Sequence, residues 1–159
     1  MKELRIDIPV LVKQEDELNE SEKRLVDEAK AATKRSYAPY SHFCVGAACE
    51  LDNGTIVSGS NQENAASPSG ICAERTTMFY ANSRYPDHSV EAICIAARDT
   101  TGAFTQRPVA PCGACRQVLV ETEARYGKSM RVLLYGTEGT YIINSARELL
   151  PVSFDSSYL

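Results

Sequence analysis

The stretch Ile71-Cys72-Ala73-Glu74-Arg75 organises this chain, and Pro111-Cys112-Gly113-Ala114-Cys115-Arg116-Gln117 is its partner. Together they offer three thiols and one carboxylate. Two residues separate Cys112 from Cys115, a spacing that lets both sulfurs reach one metal from a single helical turn. Cys72 comes from elsewhere in the fold. Three thiolates on Zn²⁺ leave a fourth tetrahedral position for water, the open arrangement of a catalytic site rather than a closed structural one. Glu74, two residues after the lone cysteine, can move protons there without being a ligand. Both motifs open predicted helices, Cys72 to about Arg84 and Cys112 to about Tyr126. A helix N-terminus favours thiolates through its partial positive charge and free N–H groups.

Outward from these motifs the chain reads as alternating strands and helices. A helix is expected over 19–36, capped by Asn19 or Ser21, with Leu18, Leu25, Ala29 and Ala32 on one face. Phe43 to Leu51 and Thr55 to Ser60 read as paired strands across Asp52-Asn53-Gly54, with Asn-Gly suited to a type I′ turn. Val90 to Ala97 is a nearly continuous apolar run, as in a central strand covered on both faces. Arg98 to Ala110 is a long loop. Met130 to Tyr135 and Thr140 to Ile143 are strands, and Asn144 caps a short final helix. The expected fold class is α/β, a three-layer α/β/α sandwich with one mixed sheet of about five strands.

The 159 residues suggest a single domain, 19–159, behind an N-terminal extension, 1–18, that holds at most a short strand. With 43% hydrophobic and 24% charged residues the composition is that of an ordinary globular protein. The net charge of −4 and the lack of a dense Lys/Arg run argue against a nucleic-acid partner. No apolar run approaches a membrane span, and the first residues lack the apolar centre of a secretory signal. That points to the cytoplasm, where six cysteines are better read as reduced thiols or metal ligands than as disulfides. Cys44, Cys49 and Cys94 lie in apolar runs and read as inert core residues.

Further blocks extend the pattern: Tyr40-Ser41-His42-Phe43 with Val45-Gly46-Ala47, then Asn61-x-Glu63-Asn64, and finally Leu149-Leu150-Pro151-x-x-Phe154. A Cys or His, one residue, Glu, and later Pro-Cys-x-x-Cys is the signature of the zinc deaminases, so the reading is a match to a known pattern. With all five blocks in order, the chain closely resembles cytidine deaminase, the small free-nucleoside type with three cysteine ligands. The resemblance runs from about Tyr37 to Phe154. It implies a homotetramer with shared active sites, one Zn²⁺ per subunit, and hydrolysis of cytidine and deoxycytidine to the uridines plus ammonia in pyrimidine salvage. Carried over by position, Cys72, Cys112 and Cys115 hold the zinc and Glu74 is the proton shuttle. Phe43 stacks on the pyrimidine, Asn61 and Glu63 bind the ribose hydroxyls, and Ala73 joins them in binding substrate. Arg75 hydrogen-bonds the ligand sulfurs, and Phe154 closes a neighbouring subunit's pocket. Ser67 stands where many members have an aromatic residue that lines an adjacent subunit's site.

Three thiolates would leave the zinc site at net −1, which Arg75, and Arg116 as a second candidate, would offset by donating to the sulfurs. Three other readings compete. Pro111-Cys112-Gly113-Ala114-Cys115 also resembles a thioredoxin-type redox motif, which leaves Cys72, Glu74, Asn61 and Glu63 without a task. A purely structural zinc module would need a fourth ligand from Cys44, Cys49, Cys94, His42 or His88. Within the deaminases, a blasticidin S-type aminonucleoside is the nearest rival substrate.

Overall fold

The computed structural model describes every residue, Met1–Leu159. Its sheet has six strands: β1 (Leu11–Lys13), β2 (Cys44–Leu51), β3 (Ile56–Ser60), β4 (Val90–Arg98), β5 (Arg131–Leu134) and β6 (Thr140–Ile143). The helices are α1 (Glu20–Ala32), α2 (Ala73–Arg84) and α3 (Gly113–Tyr126). Across the sheet the strands run β1-β6-β5-β4-β2-β3. Only β4 and β5 are parallel, because α3 carries the chain from one to the other.

The expected mixed α/β sheet is present, with six strands where about five were expected. The additional one is β1, which pairs antiparallel with β6, Leu11 opposite Ile142. Leu18, a little further on, is buried. The folded unit therefore begins inside the segment read as an extension. Both apolar residues of β1 are exposed, so no alternation of buried and open positions marks it in the sequence.

Successive residues of β4 point to opposite faces and separate the two halves of the core. Ile93 and Ile95 join Met78 of α2 and Leu119 of α3 on one side. Ala92, Cys94 and Ala96 meet Leu25, Val26 and Ala29 of α1 on the other. Covering both faces is what makes Val90–Arg98 apolar nearly throughout. The face under α1 is built from small residues, so the helix sits close. Gly46 on β2 is the limiting case. A Cβ there would collide with the Ala29 carbonyl oxygen and come within 2.6 Å of the Thr33 nitrogen.

Asn19, not Ser21, caps α1. Its Oδ1 accepts from the Glu22 N–H at 2.9 Å, and Glu22 Oε2 accepts from the Asn19 N–H at 3.0 Å. The buried Glu22 carboxylate also pairs with Lys13 at 2.9 Å and Arg131 at 3.1 Å, tying β1, α1 and β5 together. Burial alone would raise its carboxyl, but these partners outweigh burial and hold it below the usual carboxylate range.

Three local expectations need correction. The predicted helix to residue 36 is α-helical only to Ala32 and finishes as a 3-10 turn, Thr33–Arg35. The hairpin at Asp52-Asn53-Gly54 is not type I′, since only Gly54 has positive φ, 79°. Leu51 donates to Thr55 and Gly54 donates to Leu51, which makes a three-residue loop closed by the glycine. Asn53 serves through its side chain, accepting from the Thr55 N–H at 3.0 Å. The short helix expected after Asn144 is a 3-10 turn, Ala146–Leu149, capped by Ser145 rather than Asn144, and a second 3-10 turn, Ser156–Tyr158, follows it. The free N–H groups of the first turn are held by the buried Glu123 of α3, which accepts from Ala146 at 2.8 Å and from Arg147 at 3.3 Å, and Glu123 also accepts from Met130, just before β5, at 2.7 Å.

Gly46→Ala should lower stability by about 2–3 kcal/mol in chemical denaturation, because α1 must lift from β2. A loss below about 1 kcal/mol would show that this helix is not held against the sheet at Gly46.

Candidate active site

Cys72 is the N-cap residue of α2 and Cys112 that of α3, both extended in backbone, with φ of −75° and −66°. Neither side chain caps its own helix, so both sulfurs are free to face each other. Cys72 Sγ lies 3.8 Å from Cys112 Sγ, and Cys112 Sγ lies 3.4 Å from Cys115 Sγ. All three fall within 4.8 Å of one another. Zinc–sulfur bonds of about 2.3 Å give a tetrahedron with edges of about 3.8 Å, so this donor set fits one zinc ion. No His, Asp, Glu or further Cys joins the cluster.

Glu74, in the first turn of α2, is only 5% exposed. Burial raises its carboxyl above the usual range, against the opposing pull of its own backbone N–H, the Cys115 thiol and Arg75. A buried carboxyl beside a candidate metal site is placed to take and give protons there. Arg75 Nη2 donates to Cys72 Sγ at 3.7 Å, and this bond raises the guanidinium's own affinity for its proton. Burial, then the Glu74 charge, pushes the Cys115 thiol up. Cys112, an exposed residue, moves the other way despite partial desolvation, because the Cys115 backbone N–H and both neighbouring thiols favour its ionised form.

Cys72, Cys112, Glu74 and Arg75 line a cavity of about 600 Å³ together with Phe43, Asn61, Glu63 and Ala73, while the fully buried Cys115 stands outside its lining. Asn61 follows β3 directly and braces the entry to β2. Its Oδ1 accepts from the Val45 N–H at 2.8 Å and from the Ser36 hydroxyl, and its Nδ2 donates to the Phe43 carbonyl at 2.9 Å. One amide N–H is left over. Glu63 Oε2 accepts from the backbone N–H groups of Tyr40 at 2.9 Å and Ser41 at 3.3 Å, while Oε1 has no protein donor. The Ser41 hydroxyl and then the Tyr40 N–H hold the Glu63 carboxyl below its ordinary value. His42, just before Phe43, has φ of 57°, an uncommon backbone for a non-glycine residue.

Phe154 is not among the cavity's lining residues; it is exposed and stacks on Tyr158 with ring centroids 5.5 Å apart. Ser67 lines the cavity of its own chain. Arg116 does not reach the sulfurs as the sequence reading suggested. Its Nε donates to the Pro111 carbonyl at 2.8 Å and its Nη1 to the Leu149 carbonyl at 2.7 Å. It therefore fastens the turn before Cys112 to the C-terminal segment. Sequence reasoning gave no role to the Tyr40 and Ser41 backbone donors, nor to Val109 and Ala110, which line the cavity from the 98–110 loop. Backbone donors leave no side-chain signature, and that loop carries no motif.

Cys72 at 3.8 Å makes this a three-thiol cluster rather than a redox pair. Cys44, Cys49 and Cys94 are buried away from it, with the Cys49 thiol pushed up to about 12 by burial. His88 is taken by Asp52 at 2.7 Å.

Three thiols and a buried carboxylate, set at two helix ends beside a cavity, define a zinc-site enzyme. Residues 19–128 match the family model for the cytidine and deoxycytidylate deaminase zinc-binding region. The chain belongs to this cytidine deaminase family. It is 41% identical over 136 residues to a cytidine deaminase of Sporosarcina psychrophila, covering 86% of this chain and 93% of that one. A cytidine deaminase of Halalkalibacterium halodurans is 40% identical, with 82% and 91% covered. The crystal structure of cytidine deaminase from Burkholderia pseudomallei is similar at a TM-score of 0.69 and 39% identity, covering 82% of this chain and 97% of that one.

The purified protein should carry one zinc per chain, and Cys112→Ala should lose most of it, measured by elemental analysis on folded protein. Arg75→Gln should weaken zinc retention about 10–100-fold against a competing chelator. Full zinc in Cys112→Ala would remove that thiol from the site.

Proposed function

We propose that this chain hydrolyses cytidine and deoxycytidine to uridine and deoxyuridine, releasing ammonia, as a step of pyrimidine salvage in the cytoplasm. The observation that carries this reading is the buried Glu74 carboxylate beside the Cys72, Cys112 and Cys115 cluster, with Glu74, Cys72 and Cys112 lining one cavity. Those three thiolates would hold Zn²⁺, and Arg75 would temper their charge. When bound, zinc supplies an acidified water as the nucleophile.

Glu74 takes the proton of the attacking water and delivers it to ring N3, which makes C4 electrophilic. After the water oxygen has bonded to C4, Glu74 takes the proton of that new C4 hydroxyl and passes it to the exocyclic amine, so that the C4–N4 bond breaks and ammonia leaves while a carbonyl forms at C4. Phe43 stacks on the pyrimidine. Glu63 Oε1, free of protein donors, accepts from a ribose hydroxyl, and the remaining Asn61 N–H donates to one. Ala73, at the start of α2, borders the base.

The active form is a homotetramer with shared sites. The position of Phe154 outside its own cavity supports this reading, since there it is free to close a neighbouring copy's pocket. The substrate is a free nucleoside rather than nucleic acid, because the Glu63 carboxylate and the net charge of −4 oppose a continuing phosphate chain.

The fall in absorbance as cytidine is deaminated, followed with and without a zinc chelator, tests the reaction directly; activity untouched by complete zinc removal would overturn it. Glu74→Gln should keep zinc and fold yet lose about 10²–10⁴-fold in kcat. Near-normal turnover in that variant would assign the proton transfers to another group. Glu63→Gln should raise KM for cytidine by roughly tenfold or more and narrow its advantage over 3′-CMP. An unchanged ratio would take Glu63 out of ribose recognition.

A further inference from the structure

The segment before β1 carries a pattern that the active site does not use. Leu4, Ile6, Ile8 and Val10 alternate with Arg5, Asp7 and Pro9, the period of a strand with one apolar face. No strand forms there, and these four apolar side chains are 80%, 49%, 41% and 42% exposed. Arg5 Nε reaches Asp7 Oδ1 at 3.3 Å, which places the two charges on the same side of the backbone. The segment runs straight into β1, an edge strand paired on one side only. An exposed apolar row leading into an open sheet edge is a place where another strand can add.

The order of charges selects that strand. Laid antiparallel on its own copy about Ile6, the segment sets Arg5 opposite Asp7 of the partner subunit and Asp7 opposite Arg5 of the partner subunit. Leu4 then faces Ile8 of the partner subunit, and Ile6 faces its own equivalent. Moving the centre by one residue sets Arg5 against Arg5 of the partner subunit, or Asp7 against Asp7 of the partner subunit. Pro9 fits the same register. If the Ile6 pair is hydrogen-bonded, odd-numbered residues turn their N–H groups outward, so the N–H that Pro9 lacks is not needed. We propose that the segment is an arm whose residues Leu4–Ile8 pair antiparallel with the same residues of a second copy of this chain, centred on Ile6. A lone two-stranded ribbon is marginal in water. This one grows from β1 of each copy and so extends two existing sheets.

Site-directed cross-linking of the zinc-loaded, full-length protein tests the arm. Ile6→Cys should form a disulfide between two copies under mild oxidation, identified by peptide mass spectrometry. Leu4→Cys should not link to itself, because its Cα would lie about 14 Å from its equivalent, beyond disulfide reach. Adding Asp7→Arg to Ile6→Cys should slow the link roughly tenfold, as two facing pairs turn from attraction to repulsion. Adding Arg5→Asp as well should restore it. Equal linking at residues 4 and 6, no link at residue 6, or indifference to the charge reversals would each overturn the proposal.

Discussion

Three sulfurs within 4.8 Å of one another are the constraint on which this structure depends. As thiolates they repel: two unit charges 4 Å apart cost about 4 kcal/mol at an effective dielectric constant of 20. Such a cluster is stable only where positive charge is supplied. The fold supplies it from two helix N-termini, since Cys72 and Cys112 occupy the N-cap positions of α2 and α3, and from the Arg75 guanidinium. A divalent cation completes the balance. The sheet's task is to deliver these two helix ends to the same place, and the β4–α3–β5 crossover does so for Cys112 and Cys115.

Around that centre, structural groups double as positioning devices. The Asn61 amide is largely engaged in bracing Phe43 and Val45, so it shapes the pocket wall before it can meet any ligand. Arg116 ties Pro111 to Leu149, and Gln117 Nε2 donates to the Phe154 carbonyl at 3.0 Å. The helix that presents two of the thiols therefore also anchors the C-terminal segment. A shift in that segment would be felt at the turn preceding Cys112.

Much of this was legible in the sequence because chemistry and periodicity coincided. The ligand motifs name residue types with few other uses at that spacing, and the run at Val90 announces a strand buried on both faces. What was not legible rests on geometry without a residue code. β1 falls in the segment where a short strand was allowed, but it is short and exposed, so no alternation fixes its bounds or its place in the sheet. Asn53-Gly54 fits more than one tight turn, and the Asn side chain chose the longer loop. Arg116 follows Cys115 directly, and neighbouring helix residues point in different directions, which is why it meets carbonyls rather than sulfurs. Tyr40 and Ser41 act through N–H groups that nearly any residue would provide.

The central claim is that three thiolates hold zinc and leave one position open for a lighter ligand. X-ray absorption at the zinc edge of the purified protein tests it most directly. The account predicts three sulfurs near 2.3 Å and one oxygen near 2.0 Å per zinc. Four sulfurs, or two, would contradict it.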